Sequence, residues 1–279
     1  GPSFQGVLAA IRDFRPDVVI SDAEAWTHRA ARRLRIPRIG FDHFGVMAYC
    51  RPPLPWRDVL ASRRDVLVYK WLMGQPERVV VSSFYDAPPA RPGVRVVGPM
   101  IRPELADIPA SAGGYLLAYF NNGAHQVTPR MEQALRSVDA RVLVYGTPRQ
   151  GISGNLDFRS PSNLPFIEDL AGCRAVVSTA GNQLVGEAMH FGKPLLVMPE
   201  DCVEQRLNAA AVDRMGIGMR AELHSITHET IREFLAREAQ HKDAIRRNAR
   251  DGRREALDTI DTFIHELAGG PTDREAAHV

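Results

Sequence analysis

The segment from Ser178 to Asn208, STAGNQLVGEAMHFGKPLLVMPEDCVEQRLN, is the chain's richest in residues that could do chemistry together. An apolar run, Ala175–Ser178, stops at three small residues, Thr179-Ala180-Gly181, before a stretch of helical character. A helix start offers unpaired N–H groups and partial positive charge, and a glycine there lets a phosphate come close to the backbone. Gly181 and the backbone amides from Asn182 onward are therefore candidates for holding a phosphate. Glu187 follows about two turns along the helix, where its carboxylate would accept hydrogen bonds from the ribose of a nucleotide. A second apolar run, Pro194–Met198, delivers the loop Pro199–Gln205 to the same edge. Open α/β sheets bind ligands beyond the carboxyl ends of their strands. Blander readings stand beside these. Glu187 alone is an ordinary solvated helix glutamate, Gly181 and Gly123 are ordinary turn glycines, and Phe166 is an ordinary core aromatic.

The elements that must position these residues follow a regular rhythm. Short apolar runs at Asp17–Ser21, Arg38–Phe41, Arg78–Ser82, Val94–Val97, Tyr115–Phe120, Arg141–Tyr145, Ala175–Ser178 and Pro194–Met198 read as buried parallel strands. Amphipathic stretches lie between them, and Thr128-Pro129 reads as a helix cap with proline at the first helical position. The alternation predicts an α/β protein with doubly wound parallel sheets. Periodicity lapses between Pro99 and Gly114, so residues 104–113 are expected to link a first domain, 4–103, to a second, 114–256, with a helix and tail over 257–279. Gly1-Pro2-Ser3 reads as the remnant of a cleaved tag, and the last ten residues, from Gly270, as disordered.

Composition narrows the function. Charged residues nearly balance, leaving +2, with no basic stripe of the kind that binds nucleic acid; the run Lys242–Arg254 reads as a solvated helix face. Three cysteines, Cys50, Cys173 and Cys202, make neither a paired framework nor a zinc motif, and a cytoplasmic setting is expected. No apolar run reaches the roughly 18 residues needed to span a bilayer. Peripheral membrane contact and a homodimer stay open.

The pattern small-x-x-Gly, Glu-Ala, Gly-Lys-Pro, then acidic-x-x-x-Gln-x-x-Asn resembles the donor site of GT-B glycosyltransferases. It is similar to the N-acetylglucosaminyltransferase of peptidoglycan synthesis and to UDP-dependent natural-product transferases. The chain looks closer still to uncharacterised family-28-like glycosyltransferases of bacteria and archaea, through Ile20-Ser21-Asp22 with Glu24, Asp42-His43, Asn121-Asn122-Gly123 and Tyr145 to Gly151. The resemblance implies a GT-B fold of two Rossmann-like domains, with acceptor and base on the first and nucleotide sugar on the second. It gives Glu187 the ribose, Ser178, Gly181 and the following amides the diphosphate, and Glu204 and Gln205 the transferred sugar. Phe166 and Ile167 would lie against the base, and Asn122-Gly123 would face the phosphates from the opposite lip. Asp22 and His43 lead the candidates for catalysis, with Glu24 and Asp42 behind them.

A UDP- or dTDP-sugar would be a co-substrate, with no bound cofactor or metal. Retaining families of this kind commonly place a second glutamate eight positions before the ribose-binding one. Here that position holds Thr179, which favours inversion. The resemblance also implies an opening strand and Gly-rich loop that have no counterpart here. The first domain is thus expected to be incomplete, with transfer competence in doubt and its open sheet edge prone to self-association. Two other readings remain: a UDP-sugar epimerase of the same fold, and a degenerate partner that activates a transferase without catalysis.

Overall fold

The computed structural model describes residues 3–160 and 163–269, in two compact units. One unit takes residues up to Met100 together with those from Asp251 onward; the other runs from Ile101 to Arg250.

The first unit is a four-stranded parallel sheet in the order β1 (Val19–Ser21), β2 (Arg38–Asp42), β3 (Arg78–Ser82), β4 (Val94–Val97). Its helices are α1 (Phe4–Phe14), α2 (Ala25–Leu34), α3 (Gly45–Tyr49) and α4 (Val59–Met73). Ser3, whose neighbours in sequence suggested a tag remnant, caps α1: its hydroxyl accepts the Gly6 N–H at 3.2 Å. A parallel sheet needs cover on both faces. Part of that cover comes from the far end of the chain, where α12 (Gly252–Ala268) packs Ala256 and Phe263 against Ile39, Val80 and Val97. The Glu255 carboxylate accepts the Gly98 N–H at 2.9 Å, and Arg78 pairs with Glu266 at 2.7 Å. Sequence periodicity carries the second domain to residue 256 and leaves 257–279 as an appendage. In the structure the chain instead returns to the first unit at Asp251, and its last helix is part of that unit's core. The expected disorder from Gly270 lies outside the described residues.

The second unit contains β5 (Leu116–Tyr119), α5 (Gly123–Gln126), α6 (Pro129–Arg136), β6 (Val142–Tyr145), β7 (Gly151–Ser153), β8 (Leu156–Phe158), α7 (Asn163–Gly172), β9 (Ala175–Ser178), α8 (Asn182–His190), β10 (Leu195–Val197), α9 (Val203–Met215), β11 (Gly218–Arg220), α10 (His228–Ala236) and α11 (Glu238–Arg247). Its sheet runs β11-β10-β9-β5-β6-β8-β7, with every pairing parallel except that of β7 with β8. Strand order therefore reverses between β5 and β9, the doubly wound arrangement that opens a crevice beyond those strands' carboxyl ends. Leu116, Val142, Ala175 and Leu196 anchor one core layer of the sheet, and Met131, Leu135 and Phe234 pack against it from the helices.

As its sequence suggested, Thr128 caps α6, accepting the Met131 N–H at 3.2 Å. The stretch expected to be a linker is fastened to the second unit. Ser111 and Gly113 donate their N–H groups to Ala171 and Gly172 at 3.0 and 2.8 Å, and Lys193 donates to the Ser111 carbonyl. Among the described residues no helix is long and apolar enough to cross a membrane.

Candidate functional site

A cleft of about 440 Å³ opens on the second unit where its strand order reverses. Residues following β5, β9, β10 and β11 form its walls, among them Asn122, Thr179, Pro199, Glu200 and Arg220, with Arg206 from α9. The sheet brings these together because parallel strands end on one side, so every strand-to-helix turn emerges at the same edge.

Beside the cleft lies the turn between β9 and α8. The Ser178 hydroxyl is fully buried and donates to the Thr179 carbonyl at 2.6 Å, and the buried Asn208 amide donates to the Ala180 carbonyl at 2.9 Å. Both side chains hold the turn from beneath. Gly181 caps α8 with an extended backbone (φ −69°) and no side-chain hydrogen bond, and a Cβ added there would meet nothing within 4 Å. Neither backbone geometry nor crowding demands glycine at this position, and the space before the helix start is open. The Asn182 side-chain oxygen is buried without a hydrogen-bond partner, which buried acceptors seldom tolerate.

Gly123 is different. Its Cβ would fall 2.3 Å from the Gly146 carbonyl oxygen, to which its own N–H donates at 3.1 Å. Gly146 in turn needs the left-handed region (φ 82°) and sits against the Phe120 carbonyl. This pair lets the β5 and β6 turns touch backbone to backbone, so packing alone accounts for Gly123. Asn122 is exposed on the cleft, and its N–H donates to the Gln126 side-chain oxygen at 3.0 Å.

Glu187 lies on α8 with its carboxylate almost wholly buried and already engaged. Arg102 grips both oxygens, Nε to Oε1 at 2.7 Å and Nη2 to Oε2 at 2.8 Å, and Gln183 donates to Oε1 at 3.0 Å. The hydrogen bonds to Glu187 raise the pKa of Arg102 above its ordinary value. The guanidinium also donates to Asn163 and stands 6.0 Å from the centre of the Phe166 ring. Phe166 is packed between Tyr119 (5.4 Å) and, edge-on, Tyr145 (5.1 Å), leaving little of its surface open. Ile167, expected to help wall a base, has no exposed surface and belongs to the core.

Gln205, expected on a sugar, spends both ends of its amide on Glu200: Oε1 accepts the Glu200 N–H at 3.0 Å and Nε2 donates to its carboxylate at 2.9 Å. Glu204 stands in the first turn of α9 outside the cleft lining, which takes Glu200 instead. Neither Arg102 nor Glu200 stands out in the sequence. Arg102 is 85 residues from its partner, and no local pattern announces such a pair.

On the first unit, Asp22 follows β1, Asp42 ends β2 and His43 follows it. Asp22 is exposed. Asp42 is buried, accepting the Gly45 N–H at 2.7 Å on one oxygen and the Tyr69 hydroxyl on the other; burial pushes its pKa up against the pull of those hydrogen bonds. It anchors α3 and α4. Glu24 is likewise a cap, accepting the N–H groups of Trp26 and Thr27 at 2.8 and 2.7 Å. His43 is half-buried, with Nδ1 2.8 Å from the Ser82 carbonyl and its ring edge-on to Tyr85.

Known proteins share this architecture. A curated relative from Methanosarcina acetivorans, named only as an uncharacterized glycosyltransferase, is 24% identical over 94% of this chain and 76% of its own. The calicheamicin glycosyltransferase CalG4 superposes with a TM-score of 0.65 at 19% identity, covering 95% of this chain and 78% of that one. The glycosyltransferase VinC, solved with dTDP, gives 0.63 at 16%, covering 95% and 75%. These structures confirm the expected GT-B-type α/β fold. The sequence pattern described as Glycosyl transferase family 1 matches residues 3–238, and the chain belongs to that family.

Proposed function

We propose that the second unit binds a UDP- or dTDP-sugar in its cleft and that the chain transfers the sugar, with inversion, to a hydroxylated small molecule or glycan. The observation that carries this is the turn into α8. A helix start without a side-chain cap, with open space before it, lies beside the crevice where strand order reverses, and a buried carboxylate follows on the same helix. That arrangement suits a nucleoside diphosphate, with the diphosphate at the helix start and the ribose toward Glu187. The same N–H groups would stabilise the charge that builds on the departing diphosphate. VinC, a relative in fold, is solved with such a nucleotide.

For Glu187 to take ribose hydroxyls, Arg102 must share it. A carboxylate has about four lone-pair directions. Arg102 and Gln183 together use three, leaving one on Oε2 unless the guanidinium moves. On the first unit, Asp22 and His43 stay the candidates for catalysis, whereas both oxygens of Asp42 are committed to folding contacts. Deprotonation of the acceptor hydroxyl by a base, with direct displacement of the nucleoside diphosphate at the anomeric carbon, gives inversion. Thr179, where a retaining enzyme of this kind commonly has glutamate, fits that course.

Calorimetry with UDP and dTDP tests the reading. The protein should bind one or both, and Glu187→Gln, which keeps the side chain's shape, should weaken binding by about 1–3 kcal/mol. Unchanged affinity in a folded variant would remove Glu187 from the site. Incubation with a UDP-sugar alone should yield no epimer; an epimer would replace transfer with epimerisation.

A further inference from the structure

The cleft carries three carboxylates, and they are not equivalent. Asp201 faces Arg206 at 2.7 Å and Glu222 faces Arg220 at 2.8 Å, so two carry their own countercharge. Glu200 instead meets neutral amides. Its Oε1 accepts from Gln126, and its Oε2 from Asn121 at 3.0 Å and Gln205 at 2.9 Å. With three of about four lone-pair directions used, one remains on Oε1. The supports are themselves pinned. Gln126 is buried, takes the Asn122 N–H on its oxygen and donates to the Asn121 oxygen at 3.1 Å. Thr179, at the turn into α8, contacts that same oxygen at 3.4 Å. Glu200 is thus linked through Asn121 to Thr179, at the turn where a diphosphate would rest, and both line the cleft that a sugar on that diphosphate would enter.

Resting on the donor reading above, we propose that Glu200 recognises the transferred sugar. The cleft then takes a neutral or aminated sugar that offers an O–H or N–H donor, and turns away a sugar bearing a carboxylate. The single open acceptor position wants a donor, and the half-buried negative charge, which has no cation paired to it among the described residues, repels a second one. Gln205 and Gln126 are positioning residues that hold the carboxylate for this contact.

The test is calorimetry on the whole chain, first with UDP and dTDP alone. It then compares UDP-glucose with UDP-glucuronate and UDP-galactose with UDP-galacturonate, or the dTDP pairs if dTDP is the nucleotide bound. The neutral member of each pair should bind about tenfold or more tighter than its uronate. Glu200→Gln should bring the ratio to about twofold or less while leaving the free nucleotide's affinity unchanged, which also shows that the variant folds. Glu200→Asp, which keeps the charge, should keep a preference for the neutral sugar. Equal affinities within the pairs for the unaltered protein, or a preference that survives Glu200→Gln, would overturn the proposal while nucleotide binding still upheld the donor reading. Failure of both free nucleotides to bind a cooperatively melting chain would overturn the donor reading, and this inference with it.

Discussion

Two glycines near the cleft separate packing from function. Gly123 is locked against the Gly146 carbonyl, so Gly123→Ala should destabilise the second unit by about 1–3 kcal/mol through overpacking. Gly181 has open space around its missing Cβ, so Gly181→Ala should change stability by no more than about 1 kcal/mol, an N-cap effect. The same change should weaken nucleotide binding about tenfold, because a methyl group would occupy the approach to the helix start. Thermal melts and calorimetry on the two variants should therefore rank them in opposite orders. Gln205→Ala makes a third contrast: it should lower affinity for the nucleotide sugar and leave the free nucleotide's nearly unchanged, since its amide holds Glu200. Equal losses for both ligands would place Gln205 on the nucleotide. Glu187 was legible as a candidate because it sits at a fixed spacing from a glycine turn on one helix. Arg102 and Glu200 were not, because their meaning depends on partners brought close only by the fold.

At the level of elements, buried parallel strands announce themselves as unbroken apolar runs, and all eight such runs in the sequence became strands to within a few residues. What escaped were strands without that signature. The strand β7 is exposed at every residue, β8 is split by Asp157, and β11 has only Met219 between Gly218 and Arg220, so none has an apolar run to read. Helix α12 escaped for another reason. Its amphipathic pattern was visible, but periodicity does not say which sheet a helix covers. Because Phe263 is buried against Ile39, Val80 and Val97, Phe263→Ala should cost the first unit about 3–5 kcal/mol. Hydrogen exchange should show the loss in β3 and β4 and spare the strands of the second unit. Uniform deprotection of both sheets would contradict the assignment of α12 to the first.

For the molecule as a whole, the acid side of the stability curve should be governed early by one residue of the first unit. His28 is fully buried and neither ring nitrogen has a hydrogen-bond partner; burial, reinforced by nearby Arg38, lowers its pKa to about 4. The unfolded chain takes up this proton near the ordinary value of 6.5, whereas the folded chain resists it until about 4. Stability should therefore fall as pH drops through that window, by up to about 3 kcal/mol, and level off for this group below it. Carboxylates held low, such as Glu77 beside Arg38, add their own losses only as pH falls further, through their depressed values. His28→Leu should flatten the slope between pH 6.5 and 4 in chemical denaturation, and an unaltered slope would acquit His28.

The return of the chain to its first sheet also orders events during synthesis. Strands β1 to β4 leave the ribosome early, yet the helix that closes over Ile39, Val80 and Val97 is made only after all of 101–250. The second unit has every strand and helix of its own sheet in one uninterrupted segment, so it can reach its native state while the first still waits with an uncovered apolar face. Of the two units, the one begun earlier is the one completed later, and the interval between is when chaperones would find it.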